Sequence, residues 1–214
     1  MTVTKSPRVR APRQARSVET YNRMLDAAEE ILLETSFDDM TVAEVAARAG
    51  VTIGAFYARF QDKDSLLKQL ELRMQEDFVA LNADNDDEMG RVSLEELILH
   101  HHRRLIGVYR RRRAISRALV LRSHTDLALK RRIEKLNMKS LPRFARALRE
   151  HAHFDHPHPL RAIQFALVAV RSVCREVVLF RESWPNARPL TDEELAKELT
   201  RLFLTYLGAR PKRK

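Results

Sequence analysis

The chain has 214 residues, with 39 Lys+Arg against 29 Asp+Glu, a formal charge of +10. That length allows one large or two small domains, and the charge favours an anionic partner, with nucleic acid or an anionic membrane surface first in line. A single cysteine, Cys174, excludes an internal disulfide framework and reads as a small buried hydrophobe, while five glycines with no GxGxxG, GxxxxGK[ST] or GxSxG leave no phosphate-cradling loop and no common nucleophile elbow.

The opening "MTVTKSPRVRAPRQAR" lacks the apolar core of a secretory signal, and no apolar run approaches the ~18 residues of a membrane span. A cytoplasmic protein with no membrane association is expected. Long Leu/Ala/Glu/Arg stretches with little β-branched alternation predict an all-α chain. Residues 1–16 carry Lys5, Arg8, Arg10, Arg13 and Arg16 with Pro7 and Pro12, and read as a disordered basic arm, either a solvated tail or a contact to DNA backbone or minor groove.

A first helix is predicted from about Val18 to Thr35, with Tyr21, Met24, Leu25, Ala28, Ile31 and Leu32 on one face and Phe37 tucked back afterwards. In "MTVAEVAARAG", Thr41 is the N-cap and Glu44 completes a capping box. Val42, Val45, Ala46 and Ala49 form the buried stripe, and Gly50 ends the helix. A third short helix starts at Thr52, so two short helices meet at a glycine turn, a helix-turn-helix arrangement. Asp62 caps a fourth helix with Leu66, Leu67, Leu70, Met74 and Phe78 on its apolar side.

The third helix has two faces. At 100° per residue, Phe56 and Phe60 lie roughly 40° apart and form the buried side. Ile53, Gly54, Tyr57 and Ala58 form a second, flatter face, where small residues permit close backbone approach and a tyrosine hydroxyl can reach a phosphate. The periodicity alone leaves open that Tyr57 instead fills a gap between helices.

Residues 17–75 resemble the DNA-binding domain of the TetR family of transcriptional regulators. The stretches that carry the resemblance are "MLDAAEEILLETSFDDMTVAEVAARAGV" and "GAFYARFQDKDSLL". It implies that the third helix enters the major groove, with Thr52, Ile53, Gly54, Tyr57 and Ala58 facing DNA and Tyr57 on phosphate. Thr41 and Lys63, at the starts of helices two and four, would clamp the backbone, as free helix N-termini suit phosphates. Two positions depart from the family pattern. Ser36 stands where glycine is usual and is expected to take a left-handed backbone at a modest cost. Ile53 replaces a usually polar residue and is expected to select a thymine methyl group.

The acidic "NADNDDEMG", residues 82–90, reads as a link between domain 17–82 and a second helical domain, 91–208. There a helix capped by Ser93 with Glu96 runs to about Tyr109. "RRRR" at 110–113 leads into a helix ending near Ser123. A longer helical stretch from Thr125 or Asp126 reaches about Ala152, interrupted at Pro142. "HFDHPHP" is a loop. Pro159 to Arg181 is the most apolar helix, and a helix apolar all round over 165–170 needs cover on two sides. The last helix starts at Thr191 with Glu194, ends at Gly208, and is followed by a basic tail, 209–214. The resemblance implies a homodimer through the last two helices, about 159–181 and 191–207. It also implies a small hydrophobic or amphipathic ligand in the C-terminal domain. Leu105, Tyr109, Phe144, Leu148 and Phe165 are the candidate pocket residues, with ordinary core as the alternative. The fold expected is thus a three-helix helix-turn-helix domain joined by a fourth helix to a larger helical ligand-binding and dimerisation domain.

His100, His101 and His102 are consecutive on a helix and diverge, while His151, His153, His156 and His158 cluster near a loop. The consecutive three cannot form one metal site alone; without HExxH or paired CxxC the loop cluster reads as solvated, or as a pH sensor, and no metal and no cofactor is expected. "YRRRR" and the "KRR" at 130–132 read as solvated helix ends, or as extra sequence-independent DNA affinity. Three functions compete: a ligand-released, operator-binding repressor; an effector-independent DNA-binding regulator or nucleoid-type protein; and an enzyme using the histidines. The last lacks a recognisable nucleophile, base or cofactor motif, so no enzymatic activity is expected.

Overall fold

A computed structural model describes residues 15–83, 92–139, 144–146, 148–149, 152–180 and 188–211. They are helical apart from one small ribbon: α1 (Ala15–Glu34), α2 (Val42–Arg48), α3 (Ile53–Tyr57), α4 (Lys63–Ala83), α5 (Leu94–Arg111), α6 (Arg113–Ser123), α7 (Leu127–Lys139), β1 (Ala152–Phe154), α8 (Pro159–Leu179), α9 (Asp192–Leu207) and β2 (Ala209–Pro211). No described helix is long and apolar enough to cross a membrane.

Local signals set most of the boundaries. Thr41, Ser93 and Thr191 each accept from the N–H three residues on, and Glu44, Glu96 and Glu194 each reach back to the cap N–H. Each box satisfies two of the N–H groups that a helix start leaves without partners. Asp62 and Ser65 do the same for α4, Ser65 N–H donating to Asp62 Oδ1 at 2.7 Å. Asp126 caps α7 through Leu129 N–H. Gly50 and Gly208 stop their helices with left-handed backbones, φ 63° and 56°.

The chain divides into two compact units. The first comprises the described residues through Gln75 together with Ala114–Leu121; the second comprises Glu76–Arg113 and the residues from Arg122 onward. The boundary therefore falls inside α4, not in the 82–90 segment, most of which lies outside the described residues. The middle of α6 clusters with the first unit, where Ser116 Oγ lies 3.4 Å from Met74 Sδ.

In the first unit Met24, Phe56, Phe60, Leu66 and Leu70 are fully buried and Phe37 is tucked in as expected. Val42, expected in the buried stripe of α2, is only half-buried. Ser36 corrects a second expectation. Among the described residues no non-glycine has positive φ. The turn is instead stabilised by the serine side chain: its Oγ donates to Asp39 Oδ2 at 2.6 Å and accepts from Asp39 N–H at 3.2 Å. A hydroxyl that bonds the next turn removes the need for a glycine backbone there.

In the second unit α5, α8 and α9 pack on one another. Cys174 is fully buried, and burial pushes its thiol up to about 12. The segment before α8 differs from the expected helix-then-loop. Ala152–Phe154 pairs antiparallel with Ala209–Pro211, Ala152 opposite Pro211 and Phe154 opposite Ala209. The start of the predicted basic tail is therefore a strand, with Ala152 and Phe154 turned inward. The expected break at Pro142 lies outside the described residues, as do residues 1–14 of the basic arm and 212–214 of the tail.

Candidate nucleic-acid interface

Helix α3 has five residues, too few to hold a helix alone. Its neighbours impose the shape. The α2 end is a Schellman closure, Gly50 N–H donating to the Ala47 carbonyl at 3.1 Å and Val51 N–H to the Ala46 carbonyl at 2.9 Å. Thr52 Oγ then accepts from Ala55 N–H at 3.1 Å and starts α3. Phe56 and Phe60, rings 5.1 Å apart, fix the inner side, and Tyr21 of α1 stacks on Phe60 at 5.4 Å. Tyr21 is itself held by its hydroxyl donating to Gln69 of α4 at 2.7 Å.

With the inner side anchored, Thr52, Ile53, Gly54, Tyr57 and Ala58 all face outward. Ile53 is 49% and Tyr57 56% exposed, so Tyr57 does not fill a gap between helices. Gly54 has an unstrained backbone, and a Cβ added there would meet only Thr52 Oγ1, at an ordinary 3.8 Å. A glycine in a helix is less stable than alanine by about 1 kcal/mol. Among the described residues nothing calls for one at this position.

The two expected backbone clamps are engaged internally. Thr41 is exposed, but its hydroxyl and its N–H both donate to Glu44 Oε2 at 2.7 Å. Those bonds hold the Glu44 carboxyl below the usual range, leaving a negative charge beside the site. Lys63 Nζ donates to the Asp38 and Met40 carbonyls, each at 2.8 Å, and sits over the Phe37 ring. Lys63 thus ties the start of α4 to the turn before α2, with two of its three donors occupied. Arg48 is bidentate to Glu34, and Arg59 donates to Ser17. Arg73 joins α4 to α1 through Asp26 and Glu29. These pairs brace the three-helix frame around α3.

In the second unit Leu105, Tyr109 and Leu148 are buried and Phe144 is half-buried. Tyr109 packs edge-on to Phe78, and burial pushes its hydroxyl up to about 12. Phe165 does not join them. It is 58% exposed on the outer face of α8 and stacks on Tyr206 of α9 at 5.2 Å, so it cannot line an interior pocket. The arginines expected at solvated helix ends are partly paired: Arg110 with Asp192 and Arg112 with Asp77. His101 and His102, expected only to diverge on their helix, are buried. A signal was present: Leu97–Ile98, His101–His102 and Leu105–Ile106 recur in pairs at helical spacing, which places the histidines on the inner face. Among the described residues no three His, Cys, Asp or Glu side chains converge for a metal ion.

The family model described as "Bacterial regulatory proteins, tetR family" matches residues 24–70, from the middle of α1 into α4. Over that segment the chain is similar to the TetR family's DNA-binding region. Over 57 residues it is 39% identical to the HTH-type transcriptional repressor BepR of Brucella suis biovar 1, covering 27% of each protein. Over 81 residues it is 32% identical to the HTH-type transcriptional regulator YwcC of Bacillus subtilis, covering 37% of this chain and 35% of that protein. The match to these curated relatives therefore spans about a third of their length or less. The fold likeness extends further. The crystal structure of a bacterial regulatory protein in the TetR family from Rhodococcus RHA1 superposes with TM-score 0.68 at 18% identity, covering 89% of this chain and 98% of that one.

Proposed function

We propose that the chain is a sequence-specific DNA-binding transcriptional regulator that acts as a homodimer on a palindromic operator. The observation that carries the reading is the outer face of α3. A short helix locked by Phe56 and Phe60 presents Thr52, Ile53, Gly54, Tyr57 and Ala58 together, with a glycine that no described neighbour requires and that permits close approach by an outside surface. Thr52 Oγ and the Tyr57 hydroxyl supply polar contacts, and Ile53 an apolar one to a thymine methyl group. Thr41 and Lys63 flank this face. Their contribution is positional first, with one remaining Lys63 donor for phosphate.

The exposed apolar side chains of the last two long helices support the dimer. Leu160, Phe165 and Val168 on α8 and Leu202 and Tyr206 on α9 are each at least 40% exposed. Such a surface is a self-association surface when two copies pair around a two-fold axis. A dimer also doubles the bases read, which one five-residue helix needs.

Repression is the proposed outcome, in keeping with BepR, a transcriptional repressor. Release by a small hydrophobic or amphipathic ligand in the C-terminal unit completes the proposal, with Leu105, Tyr109, Phe144 and Leu148 as candidate lining.

Selection of bound duplexes from a random library at near-physiological salt tests the reading. Recovery of one palindromic motif is expected, with weaker binding when the thymine facing Ile53 is replaced by uracil. Binding without a motif that collapses steeply with salt would instead mark sequence-independent electrostatic association.

A further inference from the structure

Helix α5 buries two adjacent histidines, His101 at 3% and His102 at 0% exposure. Neighbours on a helix point about 100° apart, so the two are covered from different sides: His102 by Thr200 and Phe203 of α9, and His101 by Phe144. His102 Nδ1 lies 3.0 Å from Thr200 Oγ1 on α9, and that hydroxyl lies 2.8 Å from the Ala196 carbonyl oxygen. Two oxygens at that distance need a hydrogen between them, and only the hydroxyl has one. Thr200 therefore donates to Ala196 and accepts from His102. This fixes His102 as the Nδ1–H tautomer and leaves Nε2 as a lone-pair acceptor.

That Nε2 is buried and has no hydrogen-bond partner among the described residues. Protonation does not resolve the matter, because burial holds the imidazole neutral, at about 3. The surroundings are aromatic. Phe203 stands edge-on to His102 at 5.8 Å and His101 lies 5.9 Å away. Phe144 packs on His101 at 4.9 Å and meets Phe203 at 6.2 Å. Native interiors rarely leave such an acceptor unmet.

We propose that His102 Nε2 is the hydrogen-bond anchor for a small neutral aromatic alcohol, a phenol, whose ring rests against Phe144, Phe203 and His101. This rests on the reading of the C-terminal unit as the effector-binding part and narrows the class of effector. The partner must donate, which excludes carboxylates in their ionised form. A cation is disfavoured because Arg171 and Arg104 already act on the neighbouring His101. An aromatic ring matches the surrounding rings in shape and in edge-to-face preference.

The test titrates the full-length, 15N-histidine-labelled protein with phenol and with anisole, which has the same ring and no donor. Phenol is expected to shift the His102 Nε2 resonance, to leave Nδ1 in place, and to bind about tenfold more tightly than anisole. In His102→Asn, which keeps an N–H for Thr200 and removes Nε2, the preference is expected to vanish. Equal binding of phenol and anisole by the unaltered protein overturns the proposal. So does an Nε2 resonance already shifted by a bound water and unmoved by phenol; neither result depends on the variant folding. Operator release is measured separately. Phenol that binds with the Nε2 shift but leaves DNA bound supports the His102 anchor while defeating the effector reading. Release by other compounds with no phenol preference defeats the anchor alone.

Discussion

The two units expose large apolar side chains in different ways. In the first, Ile53 and Tyr57 stand on a five-residue helix beside a glycine and an alanine, and the surface between them is small and flat. In the second, Phe165, Val168, Leu202 and Tyr206 lie along two long helices, and Phe165 and Tyr206 already stack. A small patch with hydroxyls suits a groove read through hydrogen bonds and one methyl contact. A long apolar stripe suits another copy of itself. Exposure alone does not separate the two patches; extent and polar content do.

The comparison is most severely broken from inside. Phe56→Ala removes the ring that sets which side of α3 faces out and is expected to destabilise the first unit by about 3–5 kcal/mol. Urea titration followed by helical circular dichroism should show that loss, with DNA binding gone. Charging the other patch acts on assembly instead. Phe165→Glu with Val168→Glu is expected to raise the dimer dissociation constant about 100-fold or more, read by sedimentation, with helicity retained.

Acid separates the units in a third way. His101 and His102 are both depressed by burial, His102 from 6.5 to about 3, and only the second unit holds them. The unfolded chain takes up these protons first, so their stability contribution is complete above about pH 6.5 and drains as pH falls below it, for His102 down to about 3. The slope is up to about 1.4 kcal/mol per pH unit for each histidine. The capping carboxylates, lowered from 4.5 by their hydrogen bonds, lose stability only in more acid solution. Urea midpoints between pH 7 and 5 should therefore fall, and fall less in His102→Asn.

On the outer face of α3 the effects are smaller. Tyr57→Phe is expected to weaken operator binding about tenfold by removing one hydroxyl, leaving the melting temperature unchanged. Gly54→Ala should move the two properties in opposite directions. It should stabilise the first unit by about 0.5–1 kcal/mol and weaken DNA binding, and an affinity equal to that of the parent protein would remove the close-approach argument.

Legibility followed the range of the interactions. Capping boxes are made within four residues, so Thr41–Glu44, Ser93–Glu96 and Thr191–Glu194 could be read directly, as could the inward side of α3. Ser36 misled because a serine can close a turn with its side chain where glycine would do so with its backbone. The β1–β2 pair was hidden because three-residue strands have no visible period and the partners are separated in sequence by α8 and α9. Phe165 was placed inside because an all-apolar helix does not state which flank is covered by its own chain. The histidines of α5 were legible in part, since their spacing matched the core, but the lone Nε2 depends on Thr200 and Ala196 of another helix.

The dependence of α3 on Phe56 and Phe60 has a consequence for redesign. Apart from Thr52, which caps the helix and faces outward, the residues that hold the helix and the residues that face outward are different ones, interleaved in one turn. A combinatorial library over positions 53, 54, 57 and 58 can therefore be drawn broadly without screening for folding at every member. Selection on such a library would act almost wholly on what the face recognises, and the same frame could be steered to a new operator while its architecture stays constant.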